Sequence, residues 1–509
     1  MNRIIIDGKS LKLENYIAVV RNYQTVELSK QTDQRVKESR EYVEELIQKK
    51  EVIYGITTGF GKFSDVLINE TEIKKLQRNL IISHSCGVGN PLPEEVVRGI
   101  MLLRINALAN GYSGIRLSTI STLIQMLNKG VHPIIPEKGS LGASGDLAPL
   151  AHMVLVMIGE GEAYYKEERL PGKVAMDKAG IDIIELVSKE GLALINGTQV
   201  MTAIGALAIY DSIILSKTSE IAAALTIEAL NGITDAFDSK IHNIRGQKGQ
   251  INSASNLLKI LEKSNLTSKQ GELRVQDAYS LRCTPQIHGA SKDALYYIKD
   301  KIEIEMNAVT DNPLIFIEEE QVISGGNFHG QPMALALDFL AIALSELANI
   351  SERRIERLVN PSLSSGLPAF LTKNGGVNSG FMIVQYSAAS LVSENKILSH
   401  PASVDSIPSS ANQEDHVSMG TIAARKAKEI LGNAQKVLSM EILTACQAID
   451  LRGNIGLGIG SKVAYEIVRN KVPQLLEDRI MYIDINTIEE LLLSEEIVKS
   501  VEEEIGEIL

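Results

Sequence analysis

The sequence predicts a mainly α protein, and three features carry that expectation. Residues Val200 to Ile233 are apolar almost all round, with Asp211 and Glu220 among their few charges, the composition of an interior helix in a large bundle. Pro332 to Val359 opens on a proline, keeps the same character and stops at Asn360-Pro361. At about 1.5 Å per residue that helix would be roughly 40 Å long. Gln385 to Leu398 and Thr421 to Ile449 add further helical stretches. With 509 residues the chain is long enough for two or three domain-sized units, or one large helical body with a smaller appendage.

In chain order, Met1 to about Leu13 reads as a short strand and turn, and Glu14 to Lys50 carries helical spacing with charged faces. Val52 to Gly61 then breaks the pattern with three glycines and is expected to form a loop with freedom to move, Tyr54 standing at its start. Gln77 to Gly87 is an apolar turn that ends in His84 between Ser83 and Ser85. Gly139-Ser140-Leu141-Gly142-Ala143-Ser144-Gly145-Asp146 is a glycine-dense turn running into the apolar helical stretch Leu147-Ala148-Pro149-Leu150-Ala151-His152. Leu192 to Thr198 is an apolar run ending in a polar turn at Asn196, a residue type that commonly caps or turns. Pro361 to Gly380 is rich in Ser, Gly and Pro and reads as a surface loop. The acidic end, Thr487 to Leu509, begins Thr487-x-x-Glu490 like a capping box and is expected to be a solvated amphipathic helix.

Composition narrows the function classes. The net charge is −12 with both signs mixed along the sequence, so no basic face for nucleic acid is indicated and small soluble substrates are favoured. Cys86, Cys283 and Cys446 are odd in number and far apart, which argues against a secreted disulfide framework and for a reducing cytosol. Charge interrupts the N-terminal segment too early for a signal peptide, and no apolar run reaches the ~18 residues of a membrane span. A cytoplasmic protein is the expectation. The eight histidines are scattered without ligand spacing, so no metal is expected. Gly456 to Ser461 mimics a dinucleotide loop, but Ser461 replaces the final glycine and no strand precedes it.

Ala143-Ser144-Gly145 carries the unusual chemistry. In a tight bend the Gly145 nitrogen can reach the Ala143 carbonyl carbon, because neither flanking side chain blocks the approach. Loss of one water closes a five-membered ring, and loss of a second at Ser144 leaves a conjugated exocyclic methylene. The plain alternative is a helix-entry turn in which Ser144 or Asp146 caps the helix beginning near Leu147. A hydrolase elbow fails on spacing, since Asp146 occupies the last place of Gly-x-Ser-x-Gly. A phosphate loop fails because Gly145 is followed by Asp146 and not Lys.

The string from Gly139 to His152 resembles the signature of the aromatic amino-acid ammonia-lyases and aminomutases. So do Asn110-Gly111-Tyr112-Ser113-Gly114, Gln276 to Gln286, Asp311-Asn312-Pro313-Leu314, Gly325 to Gly330 and Asn412 to Met419. The motifs run in the family's order from Tyr54 to Met419. The resemblance implies an aspartase/fumarase-like fold with a central bundle of long helices and a smaller mixed α/β N-terminal part. It suggests a division into residues 1–200, which carry the self-made cofactor, and 201–509, the bundle and C-terminal helices. It also implies a homotetramer whose subunits share each active site.

The implied cofactor is 4-methylidene-imidazole-5-one (MIO), formed autocatalytically from Ala143, Ser144 and Gly145. It would take up the substrate amine covalently and so turn it into a better leaving group. The same resemblance makes Tyr54 the base, Tyr279 an aid to cofactor formation or orientation, Arg282 the carboxylate anchor, and Asn196 and Gln276 stabilisers of the adduct and ring oxygen. Phe328 would pack near the cofactor. Each has an ordinary alternative: a packed tyrosine, a turn-capping asparagine, or a solvated polar stripe of Gln276, Tyr279 and Arg282 three residues apart on one helical face. Ser83-His84 with Glu414 resembles the branch acting on L-histidine, a buried carboxylate being suited to an imidazole N–H and left unpaired against phenyl. The implied reaction gives trans-urocanate and ammonium. Tyrosine or phenylalanine as substrate, or an inactive helical scaffold, are the alternatives.

Overall fold

The computed structural model describes residues 3–49, 51–59, 68–69 and 72–509. Its longest elements are the helices Gln199–Ala229, Thr284–Met306, Gln331–Val359 and Gly420–Arg452. No residue of Gln199–Ala229 is exposed, which is why its sequence shows no polar stripe. By length and composition this helix and Gln331–Val359 would each cross a membrane, contrary to the expectation that no run suffices. However, 78% and 67% of their most apolar windows are buried inside the protein, and interior helices acquire such composition for that reason alone.

The chain divides into two compact units. One comprises Met1–Leu207, Lys299–Asp338 and Pro401–Arg425, and the other Ala208–Ile298, Phe339–His400 and Lys426–Leu509. Among the described residues every strand lies in the first unit, in sheets of two or three short strands. Ile4–Ile6 pairs in parallel with Val26–Leu28, and this strand splits the helix read from Glu14 to Lys50 into Leu13–Val20 and Lys30–Gln48. The second helix starts where the Ser29 side chain accepts the Thr32 N–H, an N-cap that the charged pattern around it obscured. Also in this unit, the helices Ile73–His84, Leu147–Met157 and Glu190–Ile195 pack against one another. Their packing gathers the site.

The second unit holds a buried polar cluster in its core. Glu441 accepts hydrogen bonds from Arg354, Thr226 and Ser351, and both members of the Arg354–Glu441 pair have no exposed side-chain surface. The loop between 361 and 380 is not wholly superficial, since Leu367 and Leu371 are buried. At the C-terminal end Thr487 caps nothing. It lies inside the helix Met481–Leu493, where its hydroxyl donates to the Ile483 carbonyl at 2.9 Å, and a further helix, Glu496–Ile505, follows Glu495 in a left-handed conformation.

Candidate active site

The Ala143-Ser144-Gly145 turn is clamped from two sides. Gly142 and Gly145 have φ of 69° and 73°, the left-handed region that glycine tolerates best. A Cβ at Gly145 would sit 2.2 Å from the Gly197 carbonyl oxygen, so the two backbones approach as closely as glycine permits. The Asp146 N–H donates to that same oxygen at 2.7 Å. On the other side Ala143 packs with Val417 and Met419, and the Ser418 hydroxyl donates to the Gly142 carbonyl at 2.9 Å.

Neither Ser144 nor Asp146 caps the helix Leu147–Met157, which has no side-chain cap. Asp146 instead receives the N–H groups of Val200 and Met201, at 2.9 and 3.0 Å, at the start of Gln199–Ala229. It also accepts from the hydroxyls of Ser140, at 2.7 Å, and Thr421. Burial pushes its carboxyl above the ordinary carboxylate range, while the Thr421, Met201, Ser140 and Val200 hydrogen bonds pull the other way. The positive end of the neighbouring helix also favours the charge there.

Ser144 faces a cavity of about 1200 Å³ that is also lined by Tyr54, His84, Asn196, Phe328 and Glu414. The Ser144 hydroxyl donates to Glu414 Oε1 at 2.9 Å and its carbonyl accepts from Asn196 Nδ2 at 2.9 Å. Glu414 Oε2 takes a second hydrogen bond, from Ser409 at 3.0 Å, and the 409–414 segment closes on itself as an antiparallel bridge. Between these two residues Ser410, Ala411 and Asn412 all have positive φ, a strained turn that aims Glu414 at Ser144. His84 ends its helix, with Nδ1 3.1 Å from the Ser83 hydroxyl. Burial lowers the His84 pKa, a nearby Glu414 charge opposing, so the imidazole is neutral at pH 7. Tyr54 sits in a turn fixed by Thr57 and Thr58, whose hydroxyls accept the N–H groups of Ile53 and Gly55 at 2.9 and 3.2 Å. Phe60 and Gly61, the end of the expected glycine loop, lie outside the described residues.

Gln276, Tyr279 and Arg282 belong to the second unit and do not line this cavity. Gln276 also shares no helical face with Tyr279 and Arg282, because only Tyr279–Arg282 is helical and Gln276 precedes it. Tyr279 is 69% exposed, with the Arg282 guanidinium 4.6 Å from its ring centroid, and Arg282 Nε donates to the Asp277 carbonyl at 2.9 Å. His329 is half-buried and stacked on His416. Among the described residues no group of three or more His, Cys, Asp or Glu is placed to hold a metal.

Two features of the site escaped the sequence reading. Asn312 also lines the cavity, its side-chain oxygen held by the Gly325 N–H at 2.7 Å. The other is a buried charge cluster behind Asn196, formed by Arg104, Lys189 and Asp311. The Asp311-Asn312-Pro313 motif pointed to the first. Arg104 lies inside a largely apolar helix, Glu94–Leu108, which buries Arg98 as well, and an arginine there signals burial only once its partners are known.

Fold and site together define a large helical protein that holds an Ala-Ser-Gly turn, backbone against backbone, at the wall of a cavity lined by apolar side chains with a few polar groups among them. A family model described as aromatic amino acid lyase matches residues 11–470, so the chain belongs to the aromatic amino acid lyase family. Histidine ammonia-lyase from Alkaliphilus oremlandii is 66% identical over 99% of both chains. Among solved structures, histidine ammonia-lyase from Trypanosoma cruzi superposes with a TM-score of 0.92 at 42% identity, covering 99% of this chain and 95% of that one. Tyrosine aminomutase from Streptomyces globisporus superposes with a TM-score of 0.96 at 39% identity over 99% of both chains. The mainly helical, aspartase/fumarase-like fold expected from the sequence is therefore the fold of this chain.

Proposed function

We propose that the chain eliminates ammonia from L-histidine to give trans-urocanate, with Ala143, Ser144 and Gly145 forming the MIO group. The observation that carries this is the placement of Ser144 between Glu414 and Asn196 at the wall of a cavity shared with Tyr54 and His84. The residues fit the group. Gly145 has the left-handed φ and lacks room for a side chain, and Asn196 already donates to the Ser144 carbonyl, the oxygen that becomes the ring oxygen. When present, the group supplies an electrophilic methylene for the substrate amine.

The chain's own residues do the rest. Asn196 holds the Ser144 oxygen, and its Oδ1, buried and without a partner, is free to accept a hydrogen bond from the substrate amine. His84 and Glu414 grip the imidazole, and Glu414 Oε1, without the Ser144 hydroxyl that leaves as water, would be left unpaired against an unsubstituted phenyl ring. Tyr54 removes the β-proton, and Phe328 packs beside the reacting atoms. Gln276, Tyr279 and Arg282 complete the site from neighbouring subunits of a homotetramer, Arg282 binding the carboxylate through its planar fork. A cytoplasmic setting accords with three unpaired cysteines.

Two measurements test this. Intact mass should fall roughly 36 Da below the sequence mass, two waters being lost from backbone and serine. Ultraviolet absorbance with histidine, tyrosine and phenylalanine separates urocanate, coumarate and cinnamate. A signal with tyrosine and none with histidine would move the assignment within the family. An unshifted mass with no turnover would leave an inactive scaffold.

A further inference from the structure

Behind the site lies an arginine that the proposed reaction does not yet use. Arg104 has no exposed surface. Its Nη1 donates to the Asn196 backbone carbonyl at 2.6 Å and to Gln199 Oε1 at 3.0 Å. Gln199 Nε2 in turn donates to Thr310 Oγ1 at 2.7 Å, beside Asp311. One guanidinium nitrogen therefore holds both ends of the turn from Asn196 to Gln199. Within that turn Gly197 receives the Asp146 N–H, and Asn196 Nδ2 reaches the Ser144 carbonyl.

The charge on this side chain is poorly compensated. Asp311 is the carboxylate whose field acts on Arg104, and it is already paired with the fully buried Lys189 at 2.8 Å. One carboxylate thus serves two cations. Arg104 Nε and Nη2 are buried and have no hydrogen-bond partner. Burial lowers the Arg104 pKa to about 10, against the pull of Asp311, so the group stays charged at neutral pH. A neutral glutamine could satisfy one of the two acceptors without the cost of an ion in an apolar interior. An arginine that leaves two nitrogens unused suggests that the positive charge itself is needed.

We infer that Arg104 is a positioning residue for the reaction: it fixes the Asn196–Gln199 turn and sets a buried positive charge behind the amide that holds the Ser144 carbonyl oxygen. This rests on the proposed function, in which negative charge gathers on that oxygen as the substrate amine is captured. A preorganised cation in a water-excluded interior acts strongly on such charge and needs no rearrangement when it develops. Arg104 touches neither substrate nor reacting atoms. Its influence passes through Asn196.

The test uses the full-length protein with Arg104→Gln and Arg104→Lys, each alone and combined with Asn196→Ala, read by intact mass, circular dichroism and steady-state kinetics. The expected result is a folded Gln variant with the mass loss of about 36 Da retained. Its kcat falls roughly 10- to 100-fold, less than deletion of a directly contacting donor would give. KM should stay within about threefold, and Lys should recover part of the loss. With Asn196→Ala already present, Arg104→Gln should change kcat by less than about threefold, because the intermediary is gone.

Wild-type kcat in the Gln variant, the same fold-loss in both backgrounds, or a change carried entirely by KM would each overturn the inference. If the Arg104 variants do not fold, Gln199→Met keeps the arginine but removes its second acceptor. It should lower kcat at unchanged mass shift, and wild-type kcat there would also overturn the inference. A wild-type protein without mass shift or histidine turnover would sink the proposed function itself, whereas an active wild type with indifferent Arg104 and Gln199 variants sinks only this.

Discussion

Gly145→Ala is the sharpest test of the clamped turn. The new Cβ would lie 2.2 Å from the Gly197 carbonyl oxygen, and ordinary contact requires the two backbones to separate by about 1 Å. Alanine at a φ of 73° adds about 1–2 kcal/mol of backbone strain. Separation also stretches the 2.7 Å hydrogen bond from Asp146 N–H to Gly197, worth about 1 kcal/mol. The sum, about 2–3 kcal/mol, lies below the ~5–15 kcal/mol of a typical folded protein, so the variant should still fold. The same displacement pulls the Ser144 carbonyl away from Asn196 Nδ2, now 2.9 Å distant. A misplacement of about 1 Å is enough for roughly 100-fold in rate. Intact mass, thermal melting and urocanate absorbance together should show a lowered melting point, a reduced or absent mass shift, and turnover down by at least that factor. Full mass shift with wild-type turnover would refute the claim that the Gly145–Gly197 approach shapes the site.

Three further outcomes follow from individual side chains. Ser144→Ala should abolish the mass shift and lower histidine turnover by more than roughly 1,000-fold. It should leave the helical body folded, since the Ser144 hydroxyl, here bonded to Glu414 at 2.9 Å, is itself lost as water when the group forms; wild-type turnover would contradict the assignment. Glu414→Gln keeps an oxygen to accept from the Ser409 hydroxyl but not the charge, so kcat/KM for histidine should fall about 10- to 100-fold with an unchanged melting point. An equal change in stability and activity would point to a structural role. His132 is one acid-sensitive group: burial, then Arg98, pushes its pKa down to about 4, with Glu94 opposing. Because folding favours the neutral ring, its contribution is complete above about pH 6.5 and disappears as the pH falls towards 4. His132→Gln should therefore reduce the loss of stability between those pH values by up to about 3 kcal/mol; an unchanged acid dependence of the melting point would exclude His132 as its source.

What the sequence made legible was what local pattern determines. Helices such as Gln199–Ala229 were legible because burial on every side leaves an apolar run with few charges. The Gly139–His152 string was legible because a tight turn needs small residues at fixed places, and Tyr54, His84, Ser144, Asn196, Phe328 and Glu414 do line one cavity. The misses share a different cause. Asp146 stands where a cap for its own helix belongs, yet it caps Gln199–Ala229, because a carboxylate is indifferent to which helix start offers the N–H groups and only the fold decides which one is near. Thr487 has capping-box spacing, but its hydroxyl bonds back into the turn before it. Gln276, Tyr279 and Arg282 have helical spacing in a segment that is helical for only four residues, since spacing specifies a face only where a helix forms.

Arg104 carries this reasoning furthest. Its neighbours in sequence are apolar, and every partner that gives it meaning, Asn196, Gln199 and Asp311, lies more than ninety positions away. An ion in an interior is stabilised by groups chosen by tertiary packing, so no local window can separate an arginine that supports a reacting oxygen from one that merely snorkels to solvent. Only the folded chain distinguishes them, through zero exposure, two guanidinium nitrogens without acceptors, and a third directed at the residue that holds Ser144.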